Sequence, residues 1–199
     1  MGQRGRKKGA NGEQSRALLL TIGAEEFAKN GYYETKVSDI VKRANVTQPT
    51  FYLYFQNKEA IFNELVQLFH DKLFEYIKRS RLEPGIEIES ISMKITFGLK
   101  NIFTFLSEHP NLTRIGFLVS NDAEDMKKEL VELIEGNLSY EVKEGYFRED
   151  IDMNLVAECL VGVIERLTFT KLFQGLKDPE SLAKEIVDLL LNGMISKQD

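Results

Sequence analysis

The 199-residue chain has one cysteine, Cys159, and two histidines, His70 and His109. No internal disulfide can form, and one cysteine with two distant histidines cannot supply the four ligands of a structural zinc site. Long apolar runs are missing too. Nothing approaches the roughly 18 consecutive apolar residues of a membrane span, and no apolar segment follows the basic start Met-Gly-Gln-Arg-Gly-Arg-Lys-Lys before Ala17. The chain reads as having neither a membrane partner nor a secretory signal, and the expected location is cytoplasmic. Walker A, HExxH and GxSxG patterns are absent, and the acidic residues of 122–125 and Glu149-Asp150 fall at expected helix starts or turns. The expectation is a protein that is not an enzyme and carries no metal or cofactor.

What is present suffices to fold: 43% of the residues are hydrophobic and 29% charged, ordinary values for a globular chain. The net charge of −5 conceals a split. Residues 1–58 hold 10 Lys/Arg against 5 Asp/Glu, whereas residues 59–199 hold 16 against 26. A basic head on an acidic body suggests a polyanion partner for the head alone.

Apolar residues recur with the helical period almost throughout, and no strand pattern or repeat interrupts them. The first dozen residues read as a flexible basic arm, and a first helix is expected over 15–30, with Leu20, Ala24 and Phe27 on one face and Asn30-Gly31 as its stop. Thr35 is expected to cap a second short helix that buries Val37, Ile40, Val41 and Ala44; Thr47 is expected to cap a third over 48–55, with Pro49 in its first turn. Asn57 should cap a long fourth helix carrying Ile61, Leu65, Leu68, Phe69, Leu73 and Ile77 inward. A helix apolar on most sides, and therefore interior, follows from 86 to about 108; further helices are expected near 111–120, 122–145, 152–174 and 179–196. The fold class is all-α.

Three short helices with a tight turn between the second and third make a helix-turn-helix unit, whose third helix is the one presented to a major groove. Phe51 and Phe55 can bury together there, leaving Gln48, Thr50, Tyr52 and Tyr54 outside to meet phosphates, with Gln48 or Thr50 able to reach a base edge. Lys58, a cation at a helix start, reads as a phosphate site. Arg4, Arg6, Lys7 and Lys8 either enter a minor groove or add nonspecific affinity.

The run from Phe27 through Gly31-Tyr32, Val37, Asp39-Ile40, Ala44-Asn45-Val46-Thr47, Thr50-Phe51-Tyr52, Tyr54-Phe55 and Asn57-Lys58-Glu59 closely resembles the DNA-binding domain of the TetR family of bacterial transcriptional regulators. The resemblance implies an N-terminal three-helix DNA-binding domain, 1–58, and a larger helical body, 59–199, that binds an effector and dimerises. It places Thr47, Gln48, Pro49, Thr50, Tyr52 and Tyr54 at DNA-contacting positions, with Thr35 and Lys58 at phosphate-contacting helix starts. The partners it implies are a double-stranded DNA operator, a small-molecule effector and a second copy of the chain. A ligand-responsive repressor is the expectation; a regulator whose body docks a protein instead is the alternative, which an apolar cavity of roughly 300 Å³ or more would disfavour.

Within the body, Phe97, Phe103, Phe105, Phe117, Phe169 and Phe173 could line the cavity or be plain core. The hydroxyls of Tyr76, Thr96, Thr104, Thr168 and Thr170 are candidates to orient a ligand there. Two stripes, Val156, Leu160, Val163, Leu167 and Leu182, Ile186, Leu189, Gly193, could pack against a partner helix or face this chain's own core.

Overall fold

A computed structural model describes residues 8–194, with side chains from residue 12 onward. The expected arm residues Arg4, Arg6 and Lys7 lie outside the described residues, and Lys8 belongs to the backbone of the first helix. Every regular element among the described residues is helical: α1 (Lys8–Glu34), α2 (Val37–Arg43), α3 (Gln48–Tyr52), α4 (Lys58–Ser80), α5 (Ile88–Glu108), α6 (Pro110–Arg114), α7 (Ala123–Lys143), α8 (Met153–Leu167) and α9 (Pro179–Asn192). Single π-helical turns extend α6 over Ile115–Val119 and α8 over Thr168–Leu172, so the helices expected over 111–120 and 152–174 each change winding near their ends. None of these helices is long and apolar enough to cross a membrane.

Local chemistry explains most boundaries. Gly31, at φ 78°, breaks α1 where the Asn30-Gly31 stop was expected, because a left-handed residue ends a helix and glycine takes that conformation without strain. Asn45 (φ 52°) ends α2 the same way, and the Val46 N–H donates to the Val41 carbonyl at 3.0 Å to close the turn into α3. Asn57 caps α4, its Oδ1 accepting from the Ala60 N–H at 2.8 Å. Thr47 caps α3 and accepts from the Thr50 N–H.

Thr35 is not the cap of α2. Lys36 holds that position without a side-chain cap bond. The Thr35 hydroxyl turns back onto α1, donating to the Gly31 and Glu26 carbonyls at 2.7 and 3.2 Å, and the residue is buried. The carbonyls freed at the Gly31 break require a donor, and a buried hydroxyl supplies one. Similarly, α3 stops at Tyr52, short of Phe55, and α1 begins at Lys8, ahead of the expected start.

The core has two clusters. Leu19, Phe27, Ile40, Phe51, Phe55 and Ile61 lie at the centre of the first; Phe69, Leu73, Phe103, Leu106, Leu130 and Val187 lie at the centre of the second. The first extends past residue 58, taking Ile61, Phe62 and Leu65 from the opening turns of α4 and Ile115 from the π-helical turn after α6. Farther along, α4 gives Phe69, Leu73 and Ile77 to the second cluster. One helix thus joins the two clusters. Two expectations fail at the surface. Leu68 is exposed, since it falls on the flank of the α4 stripe, and α5 is not interior on all sides, because Ile88, Met93 and Phe97 face outward.

Candidate DNA-reading surface and ligand cavity

The α2–turn–α3 unit is held to α1 by charge and by rings. Arg43 pairs with Glu25 and, at 2.6 Å, with the nearly buried Glu26. Phe51 and Phe55 are buried with ring centroids 5.6 Å apart, and the Arg16 guanidinium lies 5.2 Å over the Phe55 ring. With that face anchored, Thr47, Gln48, Pro49, Tyr52 and Leu53 point to solvent, Tyr52 at 54% exposure and Leu53 at 79%. Thr50 is partly exposed, its hydroxyl 2.9 Å from that of Thr47. Tyr54 is half-buried against the first core cluster. This surface offers hydroxyl and amide groups with an aromatic ring at its edge, the chemistry that can meet phosphates and base edges.

Lys58 does something other than what its position suggested. Its ammonium donates to the carbonyls of Tyr32, Thr35 and Tyr33 at 2.8, 3.0 and 3.3 Å and sits 4.4 Å over the Tyr32 ring. All three N–H directions are occupied, so the cation closes the carbonyl end of α1. Lys58→Met is therefore expected to lower thermal stability by about 1–2 kcal/mol, a drop of several degrees in Tm. It should leave the salt dependence of DNA binding unchanged, whereas loss of a true phosphate contact would reduce the log–log slope by ~0.9. Thermal unfolding and a salt titration of duplex affinity check the two halves. The buried Thr35 likewise offers no free hydroxyl.

The body holds a partly open cavity of about 560 Å³, walled by α5 (Ile91, Ile95, Leu99, Ile102), the end of α4, α7, α8 and α9. None of the six phenylalanines expected there lines it. Phe103, Phe105 and Phe117 are buried in the core, joined through Phe69, which lies 6.1 and 5.0 Å from the Phe105 and Phe117 rings. Phe169 and Phe173 stack edge-on against each other beneath Arg114. Phe97 is exposed and borders a separate cleft of about 340 Å³ with Tyr76, Arg79, Arg81 and Lys94. The space left open is edged mostly by branched aliphatic side chains, with Tyr146 and Phe147 among its lining residues.

Polar groups reach the cavity from places that periodicity did not mark: Ser80, Ser92, Asn137, Glu141, Tyr146 and Arg148. Tyr76, Thr96, Thr104, Thr168 and Thr170 are not among its lining residues. Burial pushes the Glu141 carboxyl above the usual carboxylate range, against the opposing pull of the Leu82 N–H and the Arg81 charge. Gly145 (φ 79°) follows the end of α7, and the next residue, Tyr146, bonds to Glu83 and Ile86 in the connection between α4 and α5.

The two stripes expected at a partner interface also divide. Leu182 and Ile186 are buried in this chain's own core, and Val156 and Leu160 turn toward the cavity. Val163 and Leu167 are half-buried against the body core, and Gly193 (φ 72°) ends α9. Of the eight, Leu189 is the large side chain left substantially exposed. On α8 the outward stripe is shifted by one residue, to Leu155, Cys159, Gly162 and Arg166.

Residues 19–65 match the family model described as bacterial regulatory proteins, tetR family. The chain is 46% identical over 188 residues to the uncharacterized HTH-type transcriptional regulator YdgC of Bacillus subtilis (strain 168), covering 94% of this chain and 96% of that protein. It is 28% identical over 189 residues to the fatty acid metabolism regulator protein of the same organism, covering 90% of this chain and 95% of that one. A solved structure of the transcriptional regulator FadR from Bacillus subtilis, in complex with stearoyl-CoA, superposes with a TM-score of 0.66 at 26% identity, covering 90% of this chain and 99% of that one.

Proposed function

The chain belongs to the TetR family of bacterial regulatory proteins, as a helix-turn-helix transcriptional regulator and not an enzyme, and from that premise we propose a homodimeric cytoplasmic repressor. It holds a palindromic operator through α3 and releases it when a small effector with an apolar chain fills the body cavity. The observation that carries this reading is the cavity of about 560 Å³, edged by isoleucine, leucine and valine. That size lies within the range of roughly 300–1,000 Å³ typical of small-molecule sites, and it disfavours a body built to dock a protein partner. Each methylene buried there contributes about 0.8 kcal/mol, so an extended hydrocarbon is the ligand such walls reward. The relative solved with stearoyl-CoA makes a fatty acyl thioester the effector class to test first.

Response requires the cavity to communicate with α3. Helix α4 borders the cavity at Ile77 and Ser80 and enters the first core cluster at Ile61, so a shift at one end is carried to the other. A ligand that releases DNA must bind the DNA-free protein more tightly, by the same factor that DNA weakens the ligand. Calorimetric titration of an acyl thioester with and without operator tests the reading: a lower affinity in the presence of operator is expected, and equal affinities would exclude an inducer.

Two heads related by a twofold axis should select half-sites about 34–36 Å apart, or a multiple of that. Selection from randomised duplexes should return such a palindrome. Gln48→Ala or Thr50→Ala should relax it by about 1–3 kcal/mol at one position, while Tyr52→Phe should weaken binding with little change in preference.

A further inference from the structure

The solvent side of α3 is apolar along one edge. Leu53 follows the last residue of α3 with helical backbone angles (φ −71°, ψ −24°), and its N–H donates to the Pro49 carbonyl at 3.2 Å. It therefore stands one turn beyond Pro49 on the same face, as Tyr52 stands one turn beyond Gln48. Two columns result, one polar (Gln48 and Tyr52) and one apolar (Pro49 and Leu53), and all four residues are exposed. The other aromatic side chains turn the opposite way: Phe51 and Phe55 are buried, and Tyr54 packs against the first core cluster. Leu53 is 79% exposed and belongs to neither core cluster, so the subunit's own packing gives it no task.

We propose that Leu53 reads the 5-methyl group of a thymine in the major groove and so sets a thymine preference in each half-site of the operator. This rests on the operator reading above, in which α3 faces the groove. From Gln48 to Leu53 the helical stretch is about 9 Å long, short enough to seat whole in a groove about 12 Å wide. Its last residue stands over base edges together with its first. A leucine pressed onto a phosphate or onto the donors and acceptors of a base gains little and strips them of water. The thymine methyl is the apolar group that the major-groove edges present, and cytosine, adenine and guanine lack it. Gln48 chooses a base by hydrogen bonds; Leu53 has none to make, so its choice falls on that methyl.

The test uses the full-length protein and the palindrome recovered by selection from randomised duplexes. Deoxyuridine replaces thymidine one position at a time, symmetrically in both half-sites. The exchange keeps every hydrogen-bonding group of the base and removes only the methyl. Fluorescence anisotropy should show one position in each half-site where it weakens binding by about fourfold, the equivalent of one buried carbon, or roughly fifteenfold for the two half-sites together. Leu53→Ala should bind the thymine operator more weakly by a similar factor and no longer distinguish it from the uracil one, with Tm unchanged because the side chain packs in no core.

If the wild-type protein accepts uracil at every position, Leu53 makes no methyl contact and the inference is overturned, while the operator reading stands. The same holds if Leu53→Ala keeps the wild-type sensitivity to uracil, which would assign the methyl to another side chain or the effect to duplex stiffness. A selected palindrome with no thymine in its half-sites overturns the inference as well. If selection returns no preferred duplex, the operator reading falls and the inference with it.

Discussion

Replacing Leu189 or Gly162 with glutamate is expected to yield folded monomers that have lost nearly all operator affinity. Both positions are outward: Leu189 is 50% exposed on α9, and a Cβ added to Gly162 on α8 meets nothing within 4 Å. Neither substitution disturbs the subunit's own packing. If two copies pair through these faces, however, each introduces a charge twice into an apolar contact of roughly 1,200–2,000 Å², and a buried unpaired charge costs several kcal/mol. A monomer reads one half-site. It forfeits most of the roughly 10³- to 10⁷-fold margin that separates specific from nonspecific binding. Sedimentation should show the monomer, and fluorescence anisotropy on the operator should show affinity reduced by about a hundredfold or more. Ile186→Glu provides the contrast: Ile186 is 7% exposed inside the body core, so that variant should unfold and not dissociate cleanly. Unchanged dimers for both outward substitutions would move the interface elsewhere.

The second large effect is expected from a single methyl group. A Cβ built on Gly116, in the π-helical turn after α6, would lie 1.9 Å from Cδ1 of Phe69. Phe69 is fully buried and its ring packs against Phe105 and Phe117, so it has no empty rotamer to move into. Gly116→Ala should therefore destabilise the protein by the roughly 1–3 kcal/mol of overpacking, despite the intrinsic helical preference for alanine. At about 2–4 °C per kcal/mol for a chain of this size, Tm falls by several degrees. Phe69→Leu in the same molecule should recover part of the loss, and a double-mutant cycle measures the coupling. The site has a functional side as well. Phe69 stands on α4 between the turns that enter the first core cluster and the end that borders the cavity, where a rigid seat for the helix governs how motion passes along it.

How much was legible in advance differs between elements. Caps and stops are local chemistry, so Thr47, Asn57 and the Asn30-Gly31 break could be read directly. The burial of Phe51 and Phe55 was also legible, because two apolar residues four apart on a short helix share one face. Thr35 and Lys58 take partners that local chemistry did not mark, for a common reason. Each stands at a helix start where a free side chain would meet an anion, and each is taken up by carbonyls that the break in α1 leaves open. Only the folded chain brings those carbonyls within reach.

The sequence by itself determined that the chain is helical, that its basic head carries a helix-turn-helix unit, and which residues of each helix share a face. Those properties depend on spacing along one helix and on hydrogen bonds spanning a few residues. Tertiary structure alone decided which face of α8 and α9 looks inward, that the six phenylalanines lie off the cavity while mostly aliphatic side chains line it, and that Glu141 faces the cavity from beside the end of α4. The helical period fixes side chains relative to one another on a helix but not the rotation of that helix against its neighbours. That rotation comes from packing between segments far apart in sequence, and a cavity is the volume such packing leaves unfilled.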